Sequence, residues 1–295
     1  MNIGIGTYSF GGIASFLGLG PTLREKFLAI ETLGYDSVEL LANDLENNAG
    51  DIKKWLSETG LSVVSVHSEP KEDVVKIMAE LGGKAVIWAG TPFCDKAEAI
   101  EVARQLDGMA EMAAPYGIKI GYHNHSQEFY FDAGASLIEH LLENSSKCFL
   151  QLDCGWAMNA GAYPPYFIRK YRNRIVSIHV KENNRVNGPG GRPASRHAKQ
   201  ENPMMAAFAN AKSLPVEERQ KMLEKIMAMV KGGGHDMDVQ CKLGAPESNI
   251  DWKEIKAALD EQDFQAFWVV EREGFYDEVN KCLADDYAWL KANII

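Results

Sequence analysis

The chain predicts an α/β fold, a (β/α)8 TIM barrel formed as a single domain over residues 1–295 with a long insertion after the seventh strand. Three observations predict it. Eight short runs rich in β-branched and apolar residues recur along the chain, longer amphipathic runs separate them, and no G-x-G-x-x-G follows the first run. A doubly wound open sheet also alternates strand and helix, but the count of eight and the missing glycine fingerprint favour the closed barrel.

The first strand is expected in "NIGIGTYS" (2–9), where apolar alternation starts at the third residue. The helical pattern "TLREKFLAIETLG" then runs to Gly34 and hands over to the second strand, "DSVELL" (36–41). A third strand, "SVVSVH" (62–67), follows Gly60, and a fourth is "KAVIWA" (84–89). "DKAEAIEVARQLDGMAEMAAPYG" carries apolar residues near i, i+3, i+4 spacing, stops at Gly117 and gives way to "IKIGYH" (118–123). "FLQLD" (149–153), "IVSIHVK" (175–181) and "AFWVVE" (266–271) complete the set. Gly34, Gly60 and Gly117 suit helix C-caps, because glycine takes the left-handed turn that ends a helix.

The rhythm breaks between Lys181 and Trp252, through "ENNRVNGPGGRPASRHAKQENP", a helical pattern around 215–231, and "GGGHDMDVQCKLGAPESNID". A loop this long in a compact domain is usually a lid or binding element, so residues 182–250 are expected to hang over the barrel mouth. The "GPGG" at 188–191 is a poor phosphate cradle, with no strand close before it and no clear helix after it.

Apolar residues make up 46% of the chain and charged residues 24%, the profile of a soluble globular protein. The net charge of −10 argues against a nucleic-acid partner, which would need a dense basic surface. No uncharged stretch is long enough to span a bilayer, so no membrane partner is expected. Cys94, Cys148, Cys154, Cys241 and Cys282 are odd in number and form no CxxC, which favours reduced thiols. With no basic leader ahead of "MNIGIGTYSF", the expected compartment is the cytoplasm.

Barrel strands aim their C-terminal ends at the mouth, where catalytic groups collect. Glu39 ends the second strand, His67 the third, His123 the fifth, Asp153 the sixth, His179 and Lys181 the seventh, and Glu271 the eighth. Period-2 alternation is consistent within each strand: Gly121, His123 and His125 oppose Ile120 and Tyr122, Gln151 and Asp153 oppose Leu150 and Leu152, and Ser177, His179 and Lys181 oppose Ile178 and Val180. Imidazoles and carboxylates on the inward face of apolar strands are costly unless paired or bound to an ion. A single strand-end histidine is more often a hydrogen-bonded structural residue than a ligand. Four such groups from consecutive strands, His123, Asp153, His179 and Glu271, instead suit one borderline divalent ion such as Mn²⁺, Co²⁺, Zn²⁺ or Fe²⁺; Mg²⁺ or Ca²⁺ would want more oxygen. His125 is balanced between a partner of the metal ligands and a substrate contact, as are His67 and Glu39. His140 and His235 are expected on the surface, and His197, in the insertion, is unassigned.

"GYHNHSQEF", "LQLDCGWAMNAG", "SIHVKE" and "WVVEREGF", in this order, resemble the xylose isomerase-like TIM-barrel superfamily, and within it the sugar phosphate isomerase/epimerase group that includes inosose dehydratase-like proteins. "IGIGTYSF" and "GYDSVEL" fit the same pattern, so the resemblance spans nearly the whole chain. It implies a single divalent metal at the mouth, often Mn²⁺, held at the positions matching His123, Asp153, His179 and Glu271. This sequence departs from the group in three ways. Epimerases of the group carry a glutamate where this chain has His123, an acidic residue is common where Lys242 stands, and the insertion after Lys181 is longer than usual.

The expected chemistry is proton abstraction next to a carbonyl, with the metal stabilising the enediolate: a sugar, sugar phosphate or keto-sugar isomerase or epimerase. Glu271 is the candidate base, Lys181 can stabilise an alkoxide or relay a proton, and His125 and Glu128 are candidate second proton carriers. Glu39, His67, Trp156 and Lys181 are the candidate contacts to a small carbohydrate substrate. Expulsion of a β-substituent would make the same site a lyase, dehydratase or keto-glycoside-cleaving enzyme, a direction that His123 favours. An apurinic endonuclease, a metal-dependent hydrolase and a non-catalytic sugar-binding barrel are the remaining rivals. Apolar barrel faces and the insertion leave room for a homodimer.

Overall fold

The computed structural model describes residues 3–198, 211, 213–232 and 241–294. Eight parallel strands form the barrel: β1 (Ile3–Gly6), β2 (Ser37–Leu41), β3 (Ser62–His67), β4 (Ala85–Ala89), β5 (Lys119–His123), β6 (Phe149–Asp153), β7 (Ile175–Val180) and β8 (Phe267–Val270). They close in the spatial order β1-β8-β7-β6-β5-β4-β3-β2. All eight expected runs are strands, and the first is the most trimmed, because Thr7–Phe10 winds into a 3-10 turn.

The helices around them are α1 (Leu23–Leu33), α2 (Ala49–Thr59), α3 (Glu72–Glu80), α4 (Lys96–Ala113), α5 (Leu137–Asn144), α6 (Cys154–Asn159), α7 (Pro164–Lys170), α8 (Val216–Gly232), α9 (Trp252–Asp260) and α10 (Val279–Asn293). Local chemistry sets their ends. Thr22 caps α1 by accepting from the Glu25 N–H at 3.3 Å, while the Glu25 carboxylate reaches back to the Thr22 N–H at 2.8 Å. Gly34, Gly60 and Gly117 all take positive φ, 90°, 70° and 69°, as expected for helix-ending turns.

The main core lies between sheet and helices. Ile3, Ile5, Val38, Leu40, Val66, Val86, Ile120, Tyr122, Leu150, Leu152, Ile178, Trp268 and Val270 are all buried there, each such side chain contributing about 1.5–3 kcal/mol. Inside the barrel a smaller cluster joins Ala85, Ile87 and Val176 with Phe149. Gly121 makes this possible: a Cβ there would sit 2.7 Å from Ile87 Cδ1. His140 is not on the surface as expected. It is 4% exposed, with Nε2 2.8 Å from the Asp132 carbonyl, because α5 turns it under the short antiparallel hairpin of Phe131–Asp132 and Ala135–Ser136 rather than outward.

Residues 182–198 of the insertion have no regular secondary structure, and the helix expected near 215–231 is α8. The insertion touches the rim at separate places. Arg192 donates to the Cys94 carbonyl (3.0 Å) and pairs with Asp95 (2.9 Å), Ser195 and the Arg196 N–H donate to Glu98, and His197 pairs with Glu101 at 2.8 Å. Further on, Ile226 of α8 and Ala211 pack on Leu17, and Arg219 donates to the Leu17 and Gly18 carbonyls at 2.9 Å. The chain returns through Glu182, whose buried carboxylate accepts from the Gly244 N–H (2.7 Å), Ser248 (2.6 Å) and Trp252 Nε1 (3.0 Å). His235 lies outside the described residues.

Candidate active site

Each polar mouth residue is inward because its strand neighbours are spent on the outer core. Register lines them up: His123 is level with Gln151, Asp153 with His179, and His179 with Val269. Asp153 also caps α6, accepting the Trp156 N–H on Oδ1 at 2.7 Å. That leaves its Oδ2 free to face the mouth. Asn124, the amide within "YHNH", brackets the Asp153 backbone, accepting its N–H at 3.0 Å and donating to its carbonyl at 3.2 Å. Gly155 lets the start of α6 close on the end of β7, since a Cβ there would meet Lys181 Cγ and O at 2.7 Å.

His179 stands at the centre. Its Nε2 is 2.7 Å from Glu39 Oε1, and its Nδ1 faces Glu271 Oε2 at 3.3 Å and Asp153 Oδ2 at 3.6 Å without the alignment of a hydrogen bond. The His123 ring centre is 4.7 Å from that of His179 and 4.8 Å from that of His67, and His125 stands edge-on to His123 at 4.9 Å. Lys181 Nζ bonds Glu271 Oε1 at 2.9 Å and Glu273 Oε1 at 3.0 Å, lies 3.8 Å from Asp153 Oδ2, and sits 5.0 Å from the Trp156 ring centre.

Electrostatics follow from this packing. Burial raises the Glu39 carboxyl, but the His67 and His179 rings outweigh it and bring it down to about 2. Burial also works against a charged His179, yet Glu271 and Glu39 hold its pKa well above the ordinary value. Lys181 is likewise desolvated and held up by Glu271, Glu273 and Asp153. His123 goes the other way: burial, then the neighbouring His179 and His67 rings, push it well down. Glu273 is raised by burial to about 7 despite Lys181 beside it.

Of the expected residues, His123, Asp153, His179, Glu271, Lys181, His67, His125 and Trp156 do meet around one space. Glu39 and Glu128 do not present free carboxylates. Glu39 is 2% exposed and spends Oε1 on His179 and His67, and Oε2 on Ser65 (2.5 Å) and Gln151 (2.6 Å), so both its oxygens are engaged by other side chains. Glu128 accepts from Tyr122 (3.0 Å), Gln127 (3.2 Å) and the His125 N–H (2.7 Å), bracing the turn that carries His125. Sequence reasoning gave no role to Gln151 or Glu273. Both were findable: Gln151 shares a face with Asp153 two residues on, and Glu273 follows Glu271 by two.

The residues fit a divalent cation. Asp153 Oδ2 and His179 Nδ1 are buried with no hydrogen-bond partner among the described residues, and Glu271 Oε2 lies beside them. Two groups have candidate ligand atoms within 4.8 Å of one another, His67–His123–His179 and Glu39–His179–Glu271, and they share His179. Three carboxylates, Glu39, Asp153 and Glu271, surround the His179 ring, with Lys181 beside Glu271 and Asp153, so the local field favours positive charge in this space.

A parallel eight-stranded barrel with histidines and carboxylates at the C-terminal mouth defines the class. The chain belongs to the xylose isomerase-like TIM barrel family, whose model matches residues 27–293. No curated protein matches it in sequence. Among solved structures it is similar to a sugar phosphate isomerase/epimerase from Parabacteroides distasonis ATCC 8503 (18% identity, 99% of this chain and 94% of that one, TM-score 0.70). It is also similar to a 3-keto-D-glucoside 4-epimerase from E. coli (16%, 99% and 99%, 0.61) and to a probable 3-DHS dehydratase from Bacillus anthracis (12%, 100% and 100%, 0.62). At these identities the likeness is one of fold. Among the described residues no helix is long and apolar enough to cross a membrane.

Proposed function

We propose that this protein is a divalent-metal-dependent isomerase or epimerase of a small carbohydrate, acting by proton transfer next to a carbonyl. The observation that carries the reading is the pair of unpartnered buried atoms, Asp153 Oδ2 and His179 Nδ1, facing Glu271 Oε2. His123, Asp153, His179 and Glu271 would hold the ion, with Mn²⁺ the first candidate and Co²⁺, Zn²⁺, Fe²⁺ and Mg²⁺ behind it. A divalent ion bound there would polarise a substrate carbonyl as a Lewis acid.

The chain's own groups supply the rest. Glu39 holds the His179 ring by its Nε2–H, so that Nδ1 faces the mouth. Glu271, kept ionised by Lys181 and His179, takes the proton from the carbon beside the carbonyl. Lys181, fixed between Glu271 and Glu273, donates to the oxygen on which charge develops. Trp156 offers its ring face, and its indole N–H, buried without a partner among the described residues, can donate to a sugar hydroxyl. His125, beside both His123 and Trp156, contacts substrate or returns the proton. The insertion is read as a lid over this space, and the compartment as cytoplasmic.

A lyase or dehydratase on the same site is the second reading. It is favoured by His123 standing where a second carboxylate would complete a two-base shuttle.

The test has two parts. Metal content by mass spectrometry is expected to be near one divalent ion per chain, and to be lost in His123→Ala and Asp153→Ala. Incubation of ketoses and keto-glycosides in D₂O is expected to exchange the substrate α-proton with solvent, followed by NMR. A protein that takes up no Mn²⁺, Co²⁺ or Zn²⁺ would sink the metal mechanism and leave a sugar-binding barrel.

A further inference from the structure

We propose that the carboxamide of Gln151 is a positioning residue that dictates which ring nitrogens of His123 and His67 carry hydrogen, leaving His123 Nε2 as the bare nitrogen of the mouth. The proposal rests on the reading of the mouth as a metal centre only for what that nitrogen is used for.

The argument is one of donors and acceptors. Gln151 is completely buried, and its side chain has four neighbours within hydrogen-bond distance. Nε2 lies 2.6 Å from Glu39 Oε2 and 2.9 Å from Ser177 Oγ; Oε1 lies 2.5 Å from His67 Nε2 and 3.1 Å from His123 Nδ1. An ionised carboxylate can only accept, so the end of the amide facing Glu39 must be the NH₂ group. The opposite end is then a carbonyl oxygen, which also only accepts. Both ring atoms facing it must therefore be N–H donors. For His67 this agrees with Glu39 Oε1, a second acceptor, at 3.2 Å from the same Nε2.

A neutral imidazole has one N–H, so hydrogen on His123 Nδ1 means a lone pair on Nε2. Among the described residues no carboxylate lies within ion-pair distance of the buried His123 ring, so nothing there holds a second hydrogen on it. Turning the amide over would set a carbonyl against the Glu39 carboxylate where both groups are buried, which is what fixes the orientation. Glu39 is thus the root of the arrangement. It holds His179 directly through Nε2, turning Nδ1 toward Glu271 and Asp153, and it holds His123 indirectly through Gln151, leaving the other type of nitrogen bare.

Long-range ¹H–¹⁵N NMR of the metal-free protein, with single-histidine substitutions for assignment, reads the tautomers. His123 is expected as the Nδ1–H form, and His67 with hydrogen on Nε2. Gln151→Met, of similar volume but without hydrogen bonds, is expected to leave His123 a mixture of tautomers and to weaken Mn²⁺ binding about 10- to 100-fold. Glu39→Gln, which removes the group that orients the amide, is expected to mix the His123 tautomers with Gln151 still in place, and serves if Gln151→Met does not fold. A wild-type His123 in the Nε2–H form, or unchanged tautomers in both variants, would overturn the proposal. Wild-type protein with the expected tautomers but no affinity for Mn²⁺ would support the tautomer assignment and count against the metal reading instead.

Discussion

Lys181 is held by three carboxylates while Glu271 is held by Lys181 and His179, so the two buried side chains keep each other charged. Lys181→Met is therefore expected to lower turnover by about 10²- to 10⁴-fold, the scale of a lost proton-transfer or oxyanion group. Metal content should persist, and steady-state kinetics beside mass spectrometry checks both. Glu39 makes a prediction about pH. Its carboxyl falls from 4.5 to about 2 on folding, a depressed acid. Its contribution is fully present above pH 4.5 and disappears as pH falls through about 2, at most about 3 kcal/mol. The stability gap between wild type and Glu39→Gln should accordingly shrink between pH 4.5 and pH 2 in denaturant titrations. A gap that is flat over this range would show that Glu39 gains nothing from His67 and His179.

At the scale of elements, the insertion is tied to the barrel by buried carboxylates. Glu182 receives Gly244, Ser248, Trp252 and the Asn183 N–H, and Glu98 receives Ser195, the Arg196 N–H and the Cys94 N–H. Leaving such donors unpaired costs about 1–3 kcal/mol each. Glu182→Ala and Glu98→Ala are both expected to lower the melting temperature and to speed proteolysis within residues 182–250. His197→Ala, which breaks only an exposed pair with Glu101, should change stability by less than about 0.5 kcal/mol. Equal proteolysis of all three variants would mean that the buried anchors do not hold the insertion.

The whole molecule places the mouth's carboxylates at the open end of a closed sheet, so an ion bound there links strands five to eight. Binding to the folded state alone adds stability by mass action, about 2.7 kcal/mol at one hundred times the dissociation constant. Chelation by EDTA is expected to lower the melting temperature by several degrees, and Mn²⁺ to restore it. Cys94, Cys148, Cys154, Cys241 and Cys282 are all buried, and burial pushes Cys148 up to about 12 and Cys241 to about 11. Thiol reagents should label the native protein slowly and the unfolded protein at five sites, which a mass shift would count.

The fold was legible because each strand states its own pattern: period-2 alternation in "IVSIHVK" or "FLQLD" assigns inside and outside without knowledge of a neighbour. The same alternation marked His123, Asp153, His179 and Lys181 as inward, and parallel register brought them level. What a side chain meets across the barrel is not written in its own strand. Glu39 reads as a free strand-end acid until β6 brings Gln151 and β7 brings His179 against it, and Glu128 reads as a proton carrier until Tyr122 and the His125 N–H close on it. His140 has a surface pattern that the short hairpin at Asp132 covers. Periodicity along the chain thus determined the barrel and the members of its mouth. Hydrogen bonds between residues as much as 140 apart in sequence decided which of them are free to act, because a donor or acceptor is spent only by a partner the closed barrel supplies.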